Sequence, residues 1–503
     1  MSSSAARPRS IAPSAVVGGC LALLVLGVVS GISTIGVTVL AVIVTGFALT
    51  RATAIGWPKL IAALILIILF IPIRRYALPG DLPFQLEPYR IFVGFLVLGW
   101  FASMLVDPRV RPRRTGFEGP ILVIFMAALG SVVVNADRVA AYSGDVEKSL
   151  MFFLSYVLVV YVTVSVIRRL DNVDHLAKTL VAGGALVALS AIVEARTGYN
   201  VFNHLSRVMP FLHDLGEVGG YQRVGTAKLR VYGSAQHPIA LGAALVVLSP
   251  LALYLYRRYR QRRWLLCAGA LAAACASTIS RTGIVMFVVV GLVFLWLRPR
   301  ETRRMWPALL LVPIAIHFAL PGTLGAIKQS FMPAGGLLAE QRQSANTAGS
   351  GRLVDLGQGL ERWQRQPLLG QGYGTQVVDL NRAGVESNIL DNQWLGTLLG
   401  TGIIGLFGWL WFFVRVIRKF AAEAKRDRSE RGWLLAAIAA SVAAYAVGML
   451  TFDAFAFIQV TFLMFILVGL GSALLAERPT PLVARESRPQ RAQQIPRVVP
   501  EPG

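Results

Sequence analysis

Apolar runs long enough to cross a bilayer recur along almost the whole chain, and they constrain its fold more than any other feature. A spanning helix needs roughly 20 apolar residues to cross about 30 Å of hydrocarbon. The 503 residues are 55% hydrophobic and only 15% charged, with a mean hydropathy of +0.61, which is too apolar for an ordinary soluble domain. The sequence therefore predicts an all-α polytopic membrane protein.

The basic residues predict the orientation of the chain. The net charge is +23, but Lys and Arg concentrate in short loops beside apolar runs, where they hold the cytoplasmic side of a membrane protein, so nucleic-acid binding is not indicated. The apolar runs predict about 14 transmembrane helices with both termini inside. This arrangement places each dense Arg cluster in the cytoplasm and the polar stretches 194–232 and 321–388 outside.

The same patterns predict four regions. Residues 1–10 form a cytoplasmic head, residues 11–193 form the N-terminal transmembrane helices, and residues 194–475 carry the chemistry, with the large outer loop at 321–388. Residues 476–503 are rich in Pro and Arg and predict a disordered cytoplasmic tail. No metal site is indicated, because the histidines lack a ligand spacing and all three cysteines lie inside apolar runs: Cys20, Cys267 and Cys275.

Arg281 is the most informative single residue. It is the only charge in the apolar run 264–297, which predicts a helical hairpin with Arg281 at an outer turn. An arginine in such a run is costly unless it reaches water, a headgroup or an anion; the alternative is an arginine that snorkels to lipid phosphate. Arg230 precedes a span on the same side. Two outer arginines at helix ends suit a pyrophosphate group, because guanidinium groups bind phosphate oxygens bidentately and stay charged.

The outer loop predicts an amphipathic helix that lies over the bundle. Its apolar residues recur at helical spacing: Leu353, Leu356, Leu360 and Trp363. Arg352, at the start of this helix, is a candidate for phosphate or glycan contact.

A glycine-rich segment follows this helix. Gly370, Gly372 and Gly374 follow no predicted strand, so they indicate a tight turn and not a dinucleotide-binding fingerprint. Tyr373, within the segment, is a further candidate substrate-binding residue.

Asp391 and Asn392 open the next span. A carboxylate that enters the membrane at the outer face is a candidate general base, since partial burial raises its pKa while nearby arginines lower it. The alternative is a helix N-cap, for which Asp and Asn are both favoured. His237, just before another span, is a weaker candidate for a base or a substrate contact.

Several short motifs now occur in a recognisable order: Arg230-Val-Tyr-Gly, Ser280-Arg281-Thr-Gly, the loop with Arg352 and Pro367-Leu-Leu-Gly-Gln-Gly, and Asp391-Asn392 followed by Gly402-Ile-Ile-Gly405. In this order and placement they resemble the O-antigen ligase and O-antigen polymerase superfamily over residues 194–414. The resemblance implies a metal-independent membrane glycosyltransferase without a cofactor. It further implies an undecaprenyl-diphosphate-linked oligosaccharide as substrate, and an active site on the periplasmic or extracellular side of the inner membrane.

The resemblance also implies roles and partners. Arg230 and Arg281 match the arginines expected to hold the diphosphate. O-antigen ligases typically place His-Asn where this chain has Asp391-Asn392, and this departure favours a surface polysaccharide polymerase. Besides the bilayer, a flippase and a chain-length regulator are the partners of such an enzyme.

In this interpretation an acceptor hydroxyl attacks the anomeric carbon of the lipid-linked saccharide with inversion. Asp391 accepts the proton or orients the acceptor, while Arg230 and Arg281 stabilise the leaving diphosphate. Two alternatives stay open. One is a ligase-type transfer to a lipid or protein acceptor. The other is a transporter or flippase for lipid-linked oligosaccharide, which would favour ionisable residues at mid-membrane and a pseudo-repeat between halves.

Overall fold

The computed structural model describes residues 56–79, 85–107, 110–216, 221–222, 229–333, 336, 352–376 and 391–476. The predicted head, the predicted spans within 11–49 and the tail beyond residue 476 lie outside these ranges. The described chain is mostly α-helical, with almost no strand, as predicted. Its α-helices are α1 Trp57–Phe70, α2 Pro88–Val106, α3 Glu118–Val134, α4 Ala136–Ala141, α5 Ser143–Val166, α6 Leu170–Thr197, α7 Leu205–Val208, α8 Pro238–Tyr259, α9 Arg262–Ser277, α10 Arg281–Leu297, α11 Pro299–Ala319, α12 Thr323–Phe331, α13 Arg352–Gln364, α14 Gln393–Arg426, α15 Glu430–Gly448 and α16 Ile458–Ala476.

Among the residues described, 6 helices are long and apolar enough to cross a membrane: α5, α6, α8, α14, α15 and α16. The shorter helices α1, α2, α3 and α10 are also apolar. In α16, 94% of the most apolar stretch is buried, and in α8 89% is, so these two helices lie at the centre of the bundle. The protein is therefore a multi-pass membrane protein, and the number of about 14 spans stays a prediction.

The segments that join the helices gather at two ends of the bundle. The basic end consists of 110–117, 257–263, 298–304 and 415–431. Here Arg298 donates hydrogen bonds to the carbonyl oxygens of Ala424 and Asp427, at 2.6 and 2.8 Å. The site end consists of 71–79, the described parts of 198–237, 278–280 and 449–457. An ion pair of 3.2 Å between Arg75 and Asp214 joins two of its segments.

Two short antiparallel strand pairs lie at the site end, and the sequence did not predict them. Strand β1, Tyr76–Ala77, pairs with β2, His213–Asp214. Strand β3, Tyr221–Gln222, pairs with β4, Leu229–Arg230. Because β4 ends on Arg230, the backbone of this arginine is fixed by strand pairing.

Helix α14 is broken at Gly402, whose backbone has φ 65° and ψ −164°. Residues other than glycine rarely adopt this conformation. Residues 367–371 pack into the break and bond to its backbone. The Ile403 amide donates to the Pro367 carbonyl oxygen at 2.9 Å, and the Gln371 amide donates to the Leu399 carbonyl oxygen at 2.7 Å. Backbone groups that leave the helical ladder are thus satisfied by the outer loop.

The glycine-rich segment is a tight turn, as predicted. Gly370, Gly372 and Gly374 all have positive φ, at 70°, 113° and 76°. A Cβ at Gly370 would lie 2.5 Å from the Leu399 carbonyl oxygen. The glycine is therefore needed for the close approach of the turn to α14.

The helical hairpin around Arg281 and the surface helix from Arg352 are also confirmed, since α9 and α10 meet at residues 278–280 and α13 begins at Arg352. The face of α13 differs from the prediction, however. Leu356 and Leu360 are exposed, and the close approach to the bundle is at Gly359, where a Cβ would lie 2.8 Å from a methyl group of Leu395.

Two helix ends and one additional helix also differ from the sequence prediction. Helix α6 continues past residue 193, because Glu194 is buried and accepts hydrogen bonds from the amides of Tyr232 and Gly233, at 3.2 and 2.9 Å. Helix α14 continues beyond the predicted end at residue 414 to Arg426, because Phe420 and Ala424 are buried. Helix α12 lies in the outer loop and was not predicted.

Candidate active site

The loop at residues 449–457, which joins α15 to α16, is the element around which the candidate residues gather. Gln393, the first residue of α14, is bonded to this loop three times. Its amide donates to the carbonyl oxygens of Met449 and Phe452, at 2.9 and 3.2 Å, and its Oε1 accepts from the Phe455 amide at 2.8 Å. Asp391 is two residues before Gln393 and half-buried, so these bonds hold it beside the loop.

The same loop is bonded to the start of α10. The hydroxyl oxygens of Thr451 and Thr282 are 2.8 Å apart. Thr282 follows Arg281, which is the first residue of α10 and half-buried. Arg230 donates a hydrogen bond from Nε to the carbonyl oxygen of Thr278, in the turn before Arg281, at 3.0 Å. Both predicted phosphate-binding arginines therefore lie at the site end, Arg230 bonded to the first residue of the 278–280 turn and Arg281 directly after it.

His237 begins α8 at the same place. Its Nδ1 accepts a hydrogen bond from the Ile239 amide at 3.1 Å, and its ring stacks on Phe457 of the loop, with centroids 5.6 Å apart. An Nδ1 that accepts carries no proton, so in the neutral ring the proton is on Nε2. His237 thus presents a donor at Nε2, which fits a substrate contact better than a general base.

Asn392 is the N-cap of α14. Its Oδ1 accepts hydrogen bonds from the amides of Trp394 and Leu395, at 3.0 and 3.2 Å. The alternative interpretation of the Asp391-Asn392 pair, as a helix N-cap, is therefore confirmed for Asn392. Contact between Asn392 and the substrate stays a prediction. Because the cap fixes the first turn, it also fixes the backbone that precedes it.

Asp453 is a site residue that the sequence analysis missed. It lies in the loop, half-buried, where its carboxylate accepts a hydrogen bond from the Ala456 amide. Burial, together with the negative charge of Asp391, raises the pKa of Asp453 to about 6, while the Ala456 amide and Arg74 oppose the shift. A signal was present, because Asp453 is the only charged residue between Arg431 and Glu477.

Arg74 and Gln236 complete this side of the site and were also missed. With its amide oriented to satisfy both ends, Gln236 accepts a hydrogen bond from Nε of Arg74 at 3.1 Å and donates to the Ala456 carbonyl oxygen at 3.3 Å. Arg74 has a φ of 67° and is exposed. Lys148 lies close enough to interact electrostatically with Arg74, so the site end carries further positive charge.

Tyr373 and Arg352 are placed apart from these contacts. The Tyr373 hydroxyl donates to the Ser149 carbonyl oxygen of α5 at 3.3 Å, and burial raises its pKa well above the usual value, so it stays protonated. The side chain of Arg352 lies outside the described residues, as do residues 377–390. The roles of Tyr373 and Arg352 toward a substrate therefore stay predictions.

No group of three or more His, Cys, Asp or Glu that could hold a metal ion occurs in the ranges that the structure covers. Cys267 and Cys275 are free thiols, and Cys20 lies outside those ranges. The metal-independent chemistry implied by the sequence remains a prediction.

The fold and these residues define a multi-pass membrane protein with a polar, partly cationic site at one end of its bundle. Residues 266–410 match the family described as O-antigen ligase, and this match supports membership of the O-antigen ligase superfamily. No curated protein matches the chain. The matched region includes Arg281, Asp391 and the break at Gly402, and the family suggests a glycosyltransferase-type enzyme. Arg230, His237 and Asp453 lie outside it.

Proposed function

We propose that this protein is a membrane glycosyltransferase that transfers undecaprenyl-diphosphate-linked saccharide units on the outer face of the inner membrane, as a surface polysaccharide polymerase. The observation that carries the proposal is the gathering of Arg281, Asp391 and His237 around the 449–457 loop. This arrangement supplies cations for a leaving group, a carboxylate for a proton and a donor for a sugar hydroxyl within one site.

Arg281 and Arg230 hold the diphosphate of the donor. Each guanidinium offers paired N–H donors whose geometry matches phosphate oxygens, and the first turn of α10 adds backbone amides at its positive end. As the bond from the anomeric carbon to the phosphate oxygen breaks, negative charge grows on the diphosphate. A fixed donor aimed at that charge stabilises the transition state by about 3 kcal/mol.

Asp391 takes the proton of the acceptor hydroxyl as its oxygen attacks the anomeric carbon. The half-buried position of Asp391 keeps bulk water from competing for the carboxylate. Nε2 of His237 donates a hydrogen bond to a sugar oxygen and orients the acceptor. Attack opposite the leaving diphosphate inverts the configuration at the anomeric carbon.

The charge distribution supports the orientation. The basic end carries the dense Arg clusters at 257–263, 298–304 and 415–431, and such loops stay on the cytoplasmic side. The site end then faces the periplasm or the cell exterior, where lipid-linked glycans are assembled. A half-exposed site at the outer surface of the inner membrane allows the lipid tail to remain in the bilayer while the diphosphate reaches Arg281.

A replacement of Arg281 in the native host tests the proposal. Surface glycans and carrier-linked glycans are profiled for Arg281→Ala, Arg281→Lys and the wild type at matched protein levels. Accumulation of single repeats on the carrier supports the polymerase, whereas full-length polymer retained on the carrier indicates a ligase. Lipid-linked units retained on the cytoplasmic side indicate a flippase. An unchanged profile for Arg281→Ala contradicts both transferase functions.

A further inference from the structure

Asp453 is a charged residue without a role in the reaction as described so far. It lies in the 449–457 loop, whose backbone and side chains are bonded to the starts of two helices, at Gln393 and Thr282. The loop packs against a third start at His237 through Phe457. A carboxylate at the centre of such a frame has a fixed position relative to all three helices.

Two charges of opposite sign act on Asp453. The Gln393 amide bonds to the carbonyl oxygen of Phe452, the residue before Asp453, at 3.2 Å, so Asp391, two residues before Gln393, lies near Asp453. The charge of Asp391 raises the pKa of Asp453, and Arg74 lowers it. The influence between two carboxylates is mutual, so an ionised Asp453 also makes Asp391 hold a proton more strongly. Gln236, bonded to both Arg74 and the Ala456 carbonyl oxygen, holds Arg74 beside the loop.

We propose that Asp453 is a positioning residue for the reaction, whose negative charge makes Asp391 a stronger base toward the acceptor hydroxyl. The inference rests on the proposed transferase function. In the step, the acceptor oxygen bonds to the anomeric carbon, and the bond from that carbon to the phosphate oxygen breaks with its electron pair on the diphosphate. The hydroxyl proton goes to Asp391. Asp453 acts on that proton only through its charge.

Other titratable or charged groups lie around this pair and define the controls. Arg74 and Tyr445 interact electrostatically with Asp453, and His237 and Arg281 stand at the starts of the helices that contact the loop. Arg74 is the cation that favours the ionised pair. Removal of Arg74 should therefore raise the pKa of the remaining carboxyl groups, whereas removal of the charge on Asp453 should lower the pKa of Asp391.

The test is the pH profile of transfer by the full chain in proteoliposomes that contain an undecaprenyl-diphosphate-linked oligosaccharide. Asp453→Asn is expected to lower the maximal transfer rate about tenfold. It is also expected to move the acidic limb of the profile, where the rate falls as Asp391 becomes protonated, about one pH unit lower. Asp453→Glu restores both in part. Arg74→Gln moves the limb higher, because the loss of a cation raises the pKa of the carboxyl pair.

A matched control replaces an aspartate at the other end of the bundle. Asp171 is exposed and pairs with Arg169, so Asp171→Asn leaves rate and acidic limb unchanged. The inference is overturned if the acidic limb stays in place for both Asp453→Asn and Arg74→Gln, even if the rate falls. A purely structural role of Asp453 would lower the rate without moving the pKa of the catalytic carboxylate. Absence of transfer by the wild type instead overturns the proposed function. If Asp453→Asn does not fold, the shift measured with Arg74→Gln decides the question.

Discussion

Arg230 donates a hydrogen bond from Nε to the carbonyl oxygen of Thr278 at 3.0 Å, and this bond ties the end of β4 to the turn that leads into Arg281. Strand β4 and the α9–α10 hairpin are distant in sequence. One guanidinium joins them, so the position of Arg230 relative to Arg281 is set by a backbone atom.

The Arg230 bond predicts that lysine is a poor replacement. A guanidinium can bond Thr278 through Nε and still direct its planar fork at phosphate, whereas an ammonium is a point charge on a flexible stem. Arg230→Lys is expected to lower the transfer rate by about 10-fold and Arg230→Ala by about 100-fold. Arg207→Lys, an exposed change in α7 at the same end, serves as control. Equal rates for Arg230→Lys and the wild type would contradict the assigned geometry.

The hydrogen bond between Thr282 and Thr451 predicts energetic coupling between α10 and the 449–457 loop. The Thr451 hydroxyl also bonds the Gly448 carbonyl oxygen at 2.9 Å, so Thr451 donates there and accepts from Thr282. Thr282→Val and Thr451→Val are each expected to lower the unfolding free energy by about 1 kcal/mol. The double variant should lose less than the sum of the two. Thermal unfolding of the purified variants in detergent measures this, and strict additivity would show that the contact contributes nothing.

His237 is expected to have separable structural and chemical roles. Its Nδ1 caps α8, and its Nε2 is the donor. Asparagine is a good N-cap, so His237→Asn should be more stable than His237→Ala, although both lose the ring stacked on Phe457, and transfer should fall in both. His237→Ala should lose both transfer and about 1 kcal/mol of stability. Full activity of His237→Asn in the transfer assay would assign His237 to the cap alone.

Gly402 is expected to tolerate no side chain. A Cβ there would lie 2.2 Å from the Leu368 carbonyl oxygen, and the backbone conformation is one that L residues rarely adopt. Gly402→Ala is expected to destabilise the protein by about 3 kcal/mol or more. Gly396→Ala is the matched control in the same helix, because its nearest atom would be Gln393 Nε2 at 3.8 Å. The two variants are compared by their unfolding temperatures and their yields of folded protein. Similar values would mean that the break in α14 does not require glycine at position 402.

Local patterns in the sequence were enough for much of the fold. The hairpin around Arg281 follows from one charge within an apolar run, and α13 follows from the spacing of its leucines. The turn at Gly370 follows from its glycines. In each case the signal and the structure occupy the same short stretch of chain.

The centre of the site could not be derived in this way. The bonds that join Gln393 to the loop use the carbonyl oxygens of Met449 and Phe452 and the amide of Phe455, and backbone atoms leave no trace in a sequence. Asp453 could have been noticed by the argument applied to Arg281, since both are single charges in long apolar stretches. Its proximity to Asp391 depends on the packing of α14 against α15, which the sequence does not specify.

The break in α14 makes the outer loop a mechanical part of the site. The short arm of the helix between Asn392 and Gly402 begins next to Asp391, the candidate base, and at its other end its backbone is bonded to residues 367–371. Residues 367–371 and this arm are therefore joined by backbone hydrogen bonds into one unit. A displacement of the glycine-rich turn would carry the arm with it, and with the arm the backbone that leads to Asp391.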